Sequence, residues 1–464
     1  MKSSIKHRSR FECLLGAWLL PGFRRFYSLN WRFYRRHTPA GRGLLLAMLA
    51  TAILGVDTDQ ALVYQLFSLL AALWALAWVM LPFGRVQVGV RRILPPFVCA
   101  GESFSYVIQV DNPGPGWQKD LRLLEDLEDP RPSYVEFMAA REPGEALRNG
   151  FDRRVGYHRF VWLMRSRERL RCQETLLDPV PPGGRIRAVM NATARQRGPA
   201  HFVGVTVARP DPLGLIRALV RIPRPQTLLV LPKTYPLPAR LQLPGVRQHQ
   251  VGGESMAYSV GDAAEFVSLR DYREGDSPRH IHWPSWAKTG KPVIREFREE
   301  YFTRHALILD TFCPFGGEVF EEAVSLAASF AAVTDDGEAL LDLLFVSNQA
   351  HCFTMGRGVS QSRQIQEILA AVFPLPDQPF AQLTALVMHH VAAVSGVLVI
   401  LLAWDGPRQE LVRGLTQLGI PVRVMLVVPE EASGSPVDLE PLGEHPEGLI
   451  QLVAGRVAAG LASL

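Results

Sequence analysis

The chain has 464 residues, too many for one ordinary hydrophobic core, so we expect two or three domains. Hydrophobic residues make up 48% and charged residues 20%, which suits folded domains combined with some membrane-embedded chain. Ten Lys and Arg residues but only one acidic residue lie in residues 1–42. The rest of the chain is slightly acidic, which excludes a body that binds nucleic acid.

The cysteines indicate a reducing compartment. They are odd in number, widely spaced and free of any Cys-x-x-Cys pair, so neither a disulfide framework nor a zinc knuckle is predicted. They are Cys13, Cys99, Cys172, Cys313 and Cys352. The fingerprints of nucleotide, dinucleotide and acyl-transfer sites are also absent from the sequence, so we expect no cofactor.

The N-terminal part predicts attachment to a membrane. Residues 1–40 are basic and aromatic, a composition favoured on the cytoplasmic membrane surface. Residues 41–84 predict a transmembrane hairpin with spans at about 41–57 and 61–83, although the first run alone is equally typical of a buried core helix. Lys and Arg flank the hairpin at both outer ends, so the positive-inside rule places the N-terminus and the C-terminal domains in the cytoplasm.

Two folded domains are predicted after the hairpin. Residues 85–235 contain short alternating runs between turn residues, which is typical of an antiparallel, immunoglobulin-like β-sandwich. Residues 125–170 within it are left without strand assignments. Residues 301–464 alternate apolar strands with helices and end in a predicted helix over 447–464, which indicates a Rossmann-like, mostly parallel sheet covered on both faces. Asp310 and Asp405 follow two of these strands, at the edge where such sheets bind ligands.

The stretch "EFVSLRDYREGDSPRHIHWPSWAKTGKPVIREF" at 265–297 resembles the signature of bacterial membrane proteins called domain of unknown function fifty-eight. The matching positions are Glu265, Phe266, Leu269, Arg270, Tyr272, Gly275, Asp276, Arg279, Ile281, Trp283, Ala287, Lys288, Arg295 and Glu296. The resemblance implies a multi-pass protein of the bacterial inner membrane. It also implies that the signature segment, 236–300, packs on a von Willebrand A-like domain.

The sequence departs from that family at the metal site. Von Willebrand A domains that bind Mg²⁺ carry Asp-x-Ser-x-Ser after the first strand, because a hard cation prefers oxygen ligands. Here Asp310 is followed by Phe312 and Pro314 at the hydroxyl positions. We therefore expect no metal, treat Asp310 and Asp405 as degenerate candidates, and expect both to cap helix N-termini.

Three interpretations of "YREGDSPRHIHW" (272–283) remain open. His280 and His282 could bind a metal with Asp276. Alternatively, Arg270, Arg273 and Arg279 could bind an anion such as a phosphorylated partner. The interpretation that we favour is a structural clasp with a partner-binding edge, in which Trp283 and Trp286 pack beneath paired charges. The predicted site residues are Glu265, Arg270, Tyr272, Gly275, Asp276, Arg279, Trp283, Lys288, Arg295 and Glu296.

The resemblance also implies a function, since these proteins are usually encoded beside MoxR-type AAA+ ATPases. It predicts a non-enzymatic membrane scaffold that recruits such an ATPase to mature another protein, with further contacts to membrane proteins from adjacent genes. Two alternatives remain. One is a metal-dependent hydrolase that uses Asp310 and Asp405, and the other is a membrane sensor whose β-sandwich binds a ligand.

Overall fold

The structure is a computed structural model. It describes residues 10–54, 61–81, 86–140, 142, 144–145, 148–238, 241, 264–273, 278, 281–299, 304–313, 317–333, 340–355, 359–375, 378–391, 394–432, 438–443 and 448–464.

Three helices open the described chain: α1 (Arg10–Arg36), α2 (Pro39–Leu54) and α3 (Ala61–Met80). The stretch Leu62–Met80 is long and apolar enough to cross a membrane, judged by length and composition. Helix α2 is also apolar, but its 16 residues extend over only about 24 Å, less than the hydrocarbon core of about 30 Å. One span of the predicted pair therefore meets the length criterion.

The predicted β-sandwich follows as two sheets around one core. One sheet has the order β1-β3-β7-β5, formed by β1 (Gly89–Ile93), β3 (Ser103–Asp111), β5 (Leu170–Cys172) and β7 (Arg185–Ala194). The other has the order β2-β9-β8-β4-β6, formed by β2 (Phe97–Cys99), β4 (Arg122–Leu127), β6 (Thr175–Leu176), β8 (Gly198–Pro210) and β9 (Arg217–Leu231). Alternate residues of β3, namely Tyr106, Ile108 and Val110, point into the core, as the alternating sequence predicts.

The segment without strand assignments contains helices. They are α4 (Tyr134–Ala139), α5 (Gly150–Val155) and α6 (Tyr157–Arg165). A capping box of Ser133 and Glu136 starts α4, because each side chain accepts a hydrogen bond from a backbone N–H that the helix leaves unpaired. Leu20 and Phe23 of α1 pack against Phe137 and Phe160, so this helical insertion holds α1 beside the sandwich.

The base of α2 contacts the turn between β8 and β9. The Thr38 N–H donates to the Leu215 carbonyl at 3.1 Å, and the Thr38 hydroxyl donates to the Gly214 carbonyl at 2.6 Å. A Cβ atom added to Gly41 would lie 2.0 Å from the Leu215 carbonyl oxygen, so only glycine fits this contact.

The signature segment forms its own small unit, which we call the signature hairpin. Strands β10 (Ala264–Asp271) and β11 (Val293–Glu299) pair antiparallel as a separate two-stranded sheet, with α7 (Trp283–Thr289) between them. Among the described residues, these two strands form no backbone pairing with the sheet of the α/β domain. Packing of this segment on that domain stays a prediction.

The C-terminal domain has a six-stranded sheet with the order β14-β13-β12-β15-β16-β17. Its strands are β12 (Arg304–Leu309), β13 (Leu340–Val346), β14 (Ala350–Met355), β15 (Gly396–Leu401), β16 (Val422–Val428) and β17 (Leu449–Val453). All pairs are parallel except β13 with β14. One face is covered by α8 (Glu318–Val333), α9 (Val359–Ala370) and α12 (Val457–Ala462), and the other by α10 (Ala381–His390) and α11 (Gly406–Gln417).

The predicted C-terminal helix over 447–464 is wrong. Leu449–Val453 forms β17 beside β16, and only Val457–Ala462 is helical. The apolar residues of this stretch fit both the helical period and the strand period. Pairing with β16 makes the first part of it a strand. Gly455, at a φ of +79°, then turns the chain into α12.

The sandwich and the α/β domain meet at Arg197, in the turn before β8. Its Nε donates to the Leu369 carbonyl at 3.1 Å, its Nη2 donates to the Val372 carbonyl at 2.7 Å, and its Nη1 pairs with Glu321. These carbonyls lie at the C-terminal end of α9, where a cation is favoured. A buried arginine therefore connects the sandwich to α8 and to the end of α9.

Candidate functional site

Asp310 directly follows β12, at the carboxyl edge of the sheet, and is fully buried. Its Oδ1 accepts the Phe312 N–H at 2.9 Å. Its Oδ2 accepts the Leu402 N–H at 3.1 Å and the Arg408 Nε–H at 2.6 Å. Both carboxylate oxygens are thus engaged within the protein.

Arg408 lies between the two acidic candidates. Its Nη1 is 2.6 Å from Asp405 Oδ2, and its Nη2 donates to the Phe312 carbonyl at 2.8 Å. The guanidinium carbon lies 4.8 Å from the centre of the Phe380 ring. A guanidinium therefore occupies the space between Asp310 and Asp405, with hydrogen bonds in three directions.

The expectation that both aspartates cap helices is correct for one of them. Asp405 is the N-cap of α11, and its side chain accepts the Arg408 N–H. Asp310 does not cap a helix: its partners are the next loop, the end of β15 and Arg408. Because Asp310 is buried, both of its carboxylate oxygens need hydrogen-bond partners, which is more than a helix-capping side chain requires.

The electrostatics of this site follow from burial. Desolvation raises the pKa of the Asp310 carboxyl, and the Arg408 guanidinium and two backbone N–H groups oppose this rise. Among the described residues, no group of three or more His, Cys, Asp or Glu side chains is placed to hold a metal ion. The arrangement acts as an internal ion pair that holds the ends of β12 and β15 to the start of α11.

The signature hairpin exposes aromatic surface. Trp283 is 62% exposed and stacks on Trp286 with ring centroids 5.2 Å apart. Leu269 and Tyr272 are exposed on the same hairpin. The expectation that both tryptophans pack beneath the segment is therefore wrong for Trp283, because the small two-stranded sheet offers too little apolar surface to bury it.

The other predicted signature residues are only partly described. The backbone register places Leu269 opposite Arg295, Ser268 opposite Glu296, and Glu265 opposite Arg298. Arg270 Nη1 donates to the Asp271 carbonyl at 3.2 Å. Lys288 is exposed in the last turn of α7.

The proposed metal and anion sites in this stretch cannot be compared with the structure. Gly275, Asp276, Arg279 and His280 lie outside the described residues. The His282 Nδ1 lies 2.7 Å from the Ser285 hydroxyl, a local contact at the start of α7.

Sequence reasoning missed Arg408. The available signal was an arginine three residues after an N-cap aspartate, which places the two side chains on one face of the first helical turn. Nothing in the order of residues indicates that Asp310, nearly a hundred positions earlier, lies beside them.

Comparison with known proteins finds similarity over part of the chain. No family model matches the chain. The uncharacterized protein YeaD of Bacillus subtilis (strain 168) is 27% identical over 176 residues, which cover 38% of this chain and 42% of YeaD, less than half of either. Among solved structures, the ASH / PapD-like domain of human CEP192 (PapD-like domain 7) is 14% identical, with 32% of this chain and 87% of that chain covered. Its TM-score of 0.18 carries no argument about fold.

Proposed function

We propose that the protein is a non-enzymatic scaffold of the bacterial inner membrane that recruits a MoxR-type AAA+ ATPase for the maturation of another protein. In this proposal α2 and α3 form the multi-pass anchor, and the sandwich and a von Willebrand A-like domain lie in the cytoplasm. The resemblance of the signature and the six-stranded sheet with one antiparallel edge strand support it.

The observation that carries the proposal is the position of Arg408. The sheet edge where an α/β domain normally binds its ligand is held closed by a guanidinium between two carboxylates. A divalent cation would have to displace this buried, hydrogen-bonded charge. The geometry thus favours a domain that binds proteins over the alternative of a metal-dependent hydrolase.

The signature hairpin supplies a surface for the partner. Exposed tryptophan and tyrosine are enriched at the centres of protein interfaces, because they bury a large area at low conformational cost. Trp283 and Tyr272 place two such side chains on one small unit, and Leu269 adds an exposed apolar side chain beside them.

The proposal is tested by capture of the ATPase encoded beside this protein. The full-length chain in detergent should retain the ATPase in a nucleotide-dependent manner, and Trp283→Ala should reduce retention at least about tenfold, the scale of a hot-spot residue. Trp117→Ala, at a similarly exposed tryptophan of the sandwich, is the matched control and should leave retention unchanged.

Two results would contradict the proposal. Intact protein that captures no ATPase in any nucleotide state would remove the scaffold role. Stoichiometric divalent metal that is lost on Asp310→Asn would instead support the hydrolase.

A further inference from the structure

A cavity of about 870 Å³ lies between α1, the helical insertion and the sandwich. Its walls come from the polar and aromatic residues of α1, from residues 125–131, from α6 and the following segment to Cys172, and from β8 and β9. It is separate from the Asp310 site and the signature hairpin, and the proposed function makes no use of it.

The cavity carries an excess of positive charge. Seven arginines and four acidic residues line it. Two of the acids are neutralised from outside the cavity, since Glu125 pairs with Arg92 and Glu168 pairs with Arg195. Asp129 is held by Arg131, which leaves Glu128 as the acid that remains.

Most of the lining arginines have no acid to balance them. Arg167 pairs with Glu136, and Arg221 with Asp126. Within the described part of the chain, four lining arginines make no ion pair: Arg32, Arg165, Arg169 and Arg171. Among the described residues, four unpaired guanidinium groups against one unpaired carboxylate, that of Glu128, leave the cavity positive, which favours an anion, and planar guanidinium forks match phosphate oxygens.

The wall formed by α1 is aromatic. Phe23, Phe26, Tyr27 and Trp31 line the cavity from this helix, and Phe23 contacts Tyr157 and Phe160 with ring centroids 5.6 and 5.7 Å apart. Phe26 is 65% exposed. Helix α1 leads through His37 and Thr38 into α2, so this wall adjoins the apolar helices.

We propose that this cavity binds the headgroup of an anionic phospholipid. The free arginines contact the phosphate, and the aromatic wall of α1 contacts the apolar part of the same molecule. Aromatic and basic side chains are favoured together at the surface of an anionic membrane leaflet, which is the arrangement found here. The proposal does not depend on recruitment of an ATPase.

The test measures binding of water-soluble dihexanoyl phosphatidylglycerol to the full-length protein in dodecyl maltoside, by native mass spectrometry. Dihexanoyl phosphatidylcholine has the same chains but adds a cation, so it should bind at least about tenfold more weakly beside unpaired arginines. sn-Glycerol 1-phosphate supplies the phosphate without chains and should also bind more weakly, since it cannot contact the aromatic wall.

The variants separate the cavity from general surface charge. Arg32→Gln combined with Arg171→Gln should weaken phosphatidylglycerol binding about tenfold or more. Arg91→Gln combined with Arg187→Gln removes the same charge from exposed positions on the sandwich outside the cavity and should change nothing. All four positions are exposed, so folding is expected to be retained.

A second pair tests the aromatic wall. Phe26→Ala should weaken phosphatidylglycerol binding while leaving glycerol phosphate binding unchanged, and Phe151→Ala, an exposed phenylalanine of α5, should affect neither. Equal binding of the two lipids, or equal loss in the cavity and control pairs, would overturn the site. Glycerol phosphate binding as tight as that of the lipid would replace the lipid with a soluble phosphate compound and overturn the proposal as stated.

Discussion

At the scale of single residues, Asp310 and Arg408 illustrate how a buried charge is tolerated. The Asp310 side chain is fully buried, and an unpaired carboxylate there would be strongly disfavoured. Arg408 and two backbone N–H groups supply the missing interactions. Replacing both charged residues together therefore costs little stability. Losing only one of them costs much more, because the other charge stays buried without a partner.

Arg408→Ala is expected to destabilise the α/β domain by about 3–5 kcal/mol, because it leaves Asp310 buried without its cation. Thermal unfolding of the full-length protein in detergent measures the effect as a lowered melting temperature. Arg413→Ala on the same helix breaks an exposed pair with Glu440 and should cost about 1 kcal/mol or less.

A double replacement provides the internal check on that interpretation. Asp310→Asn together with Arg408→Gln removes both charges and should recover much of the lost stability. If Arg408→Ala and Arg413→Ala lower the melting temperature equally, the buried pair has no special role.

At the scale of elements, α2 is positioned by a backbone contact as well as by its apolar side chains. The close approach of Gly41 to the Leu215 carbonyl joins the base of the helix to the β8–β9 turn. Ala77, in the last turn of α3, packs with Leu215 and Ile216 at the same place, so α2 begins and α3 ends at one point on the sandwich.

Gly41→Ala should disrupt this junction, because its Cβ overlaps a backbone carbonyl that cannot move without shifting the turn. The Thr38 amide donates to Leu215, so its hydrogen exchange should become at least about tenfold faster. Gly43→Ala lies on the same helix with nothing within 4 Å of the added atom. In Gly43→Ala the Thr38 amide should exchange as fast as in the unsubstituted protein. Faster exchange in both variants would show that the composition of the helix, and not the Gly41 contact, is responsible.

At the scale of the whole molecule, the sandwich and the α/β domain form one unit through Arg197. Tyr235 strengthens the connection after β9, because its N–H donates to the Ser329 hydroxyl at 2.8 Å and its own hydroxyl bonds to Glu322. Arg363 of α9 lies over the Phe97 ring of the sandwich at 4.4 Å. These contacts and those of Arg197 hold the sandwich and the α/β domain together.

Arg197→Ala is expected to loosen the angle between the two domains, because it removes two carbonyl contacts and an ion pair at once. Spin labels at Val189→Cys and Leu418→Cys, both exposed, would report the distance in a background without the five native cysteines. The distance distribution should broaden in Arg197→Ala. It should stay narrow in the control Arg195→Ala, which breaks a more exposed pair with Glu168. A narrow distribution in both variants would show that Arg197 is dispensable for the arrangement of the two domains.

The sequence alone determined the features that depend on local pattern. Strand β7, with its alternating burial, lies in the region predicted to form short alternating strands, and α8 lies in the region predicted to alternate strands with helices. Asp405 was correctly expected to cap a helix. In each case the period of apolar residues or the chemistry of one side chain within a single turn is sufficient.

Only the tertiary structure decided the features that depend on contacts between distant residues. It placed Arg408 against Asp310, made a strand of Leu449–Val453 and left Trp283 exposed. It also gathered four unpaired arginines around one cavity from α1 and from residues 165–171. The physical reason is the same throughout: burial and pairing depend on which surfaces the folded chain brings together, and local order carries no record of that choice.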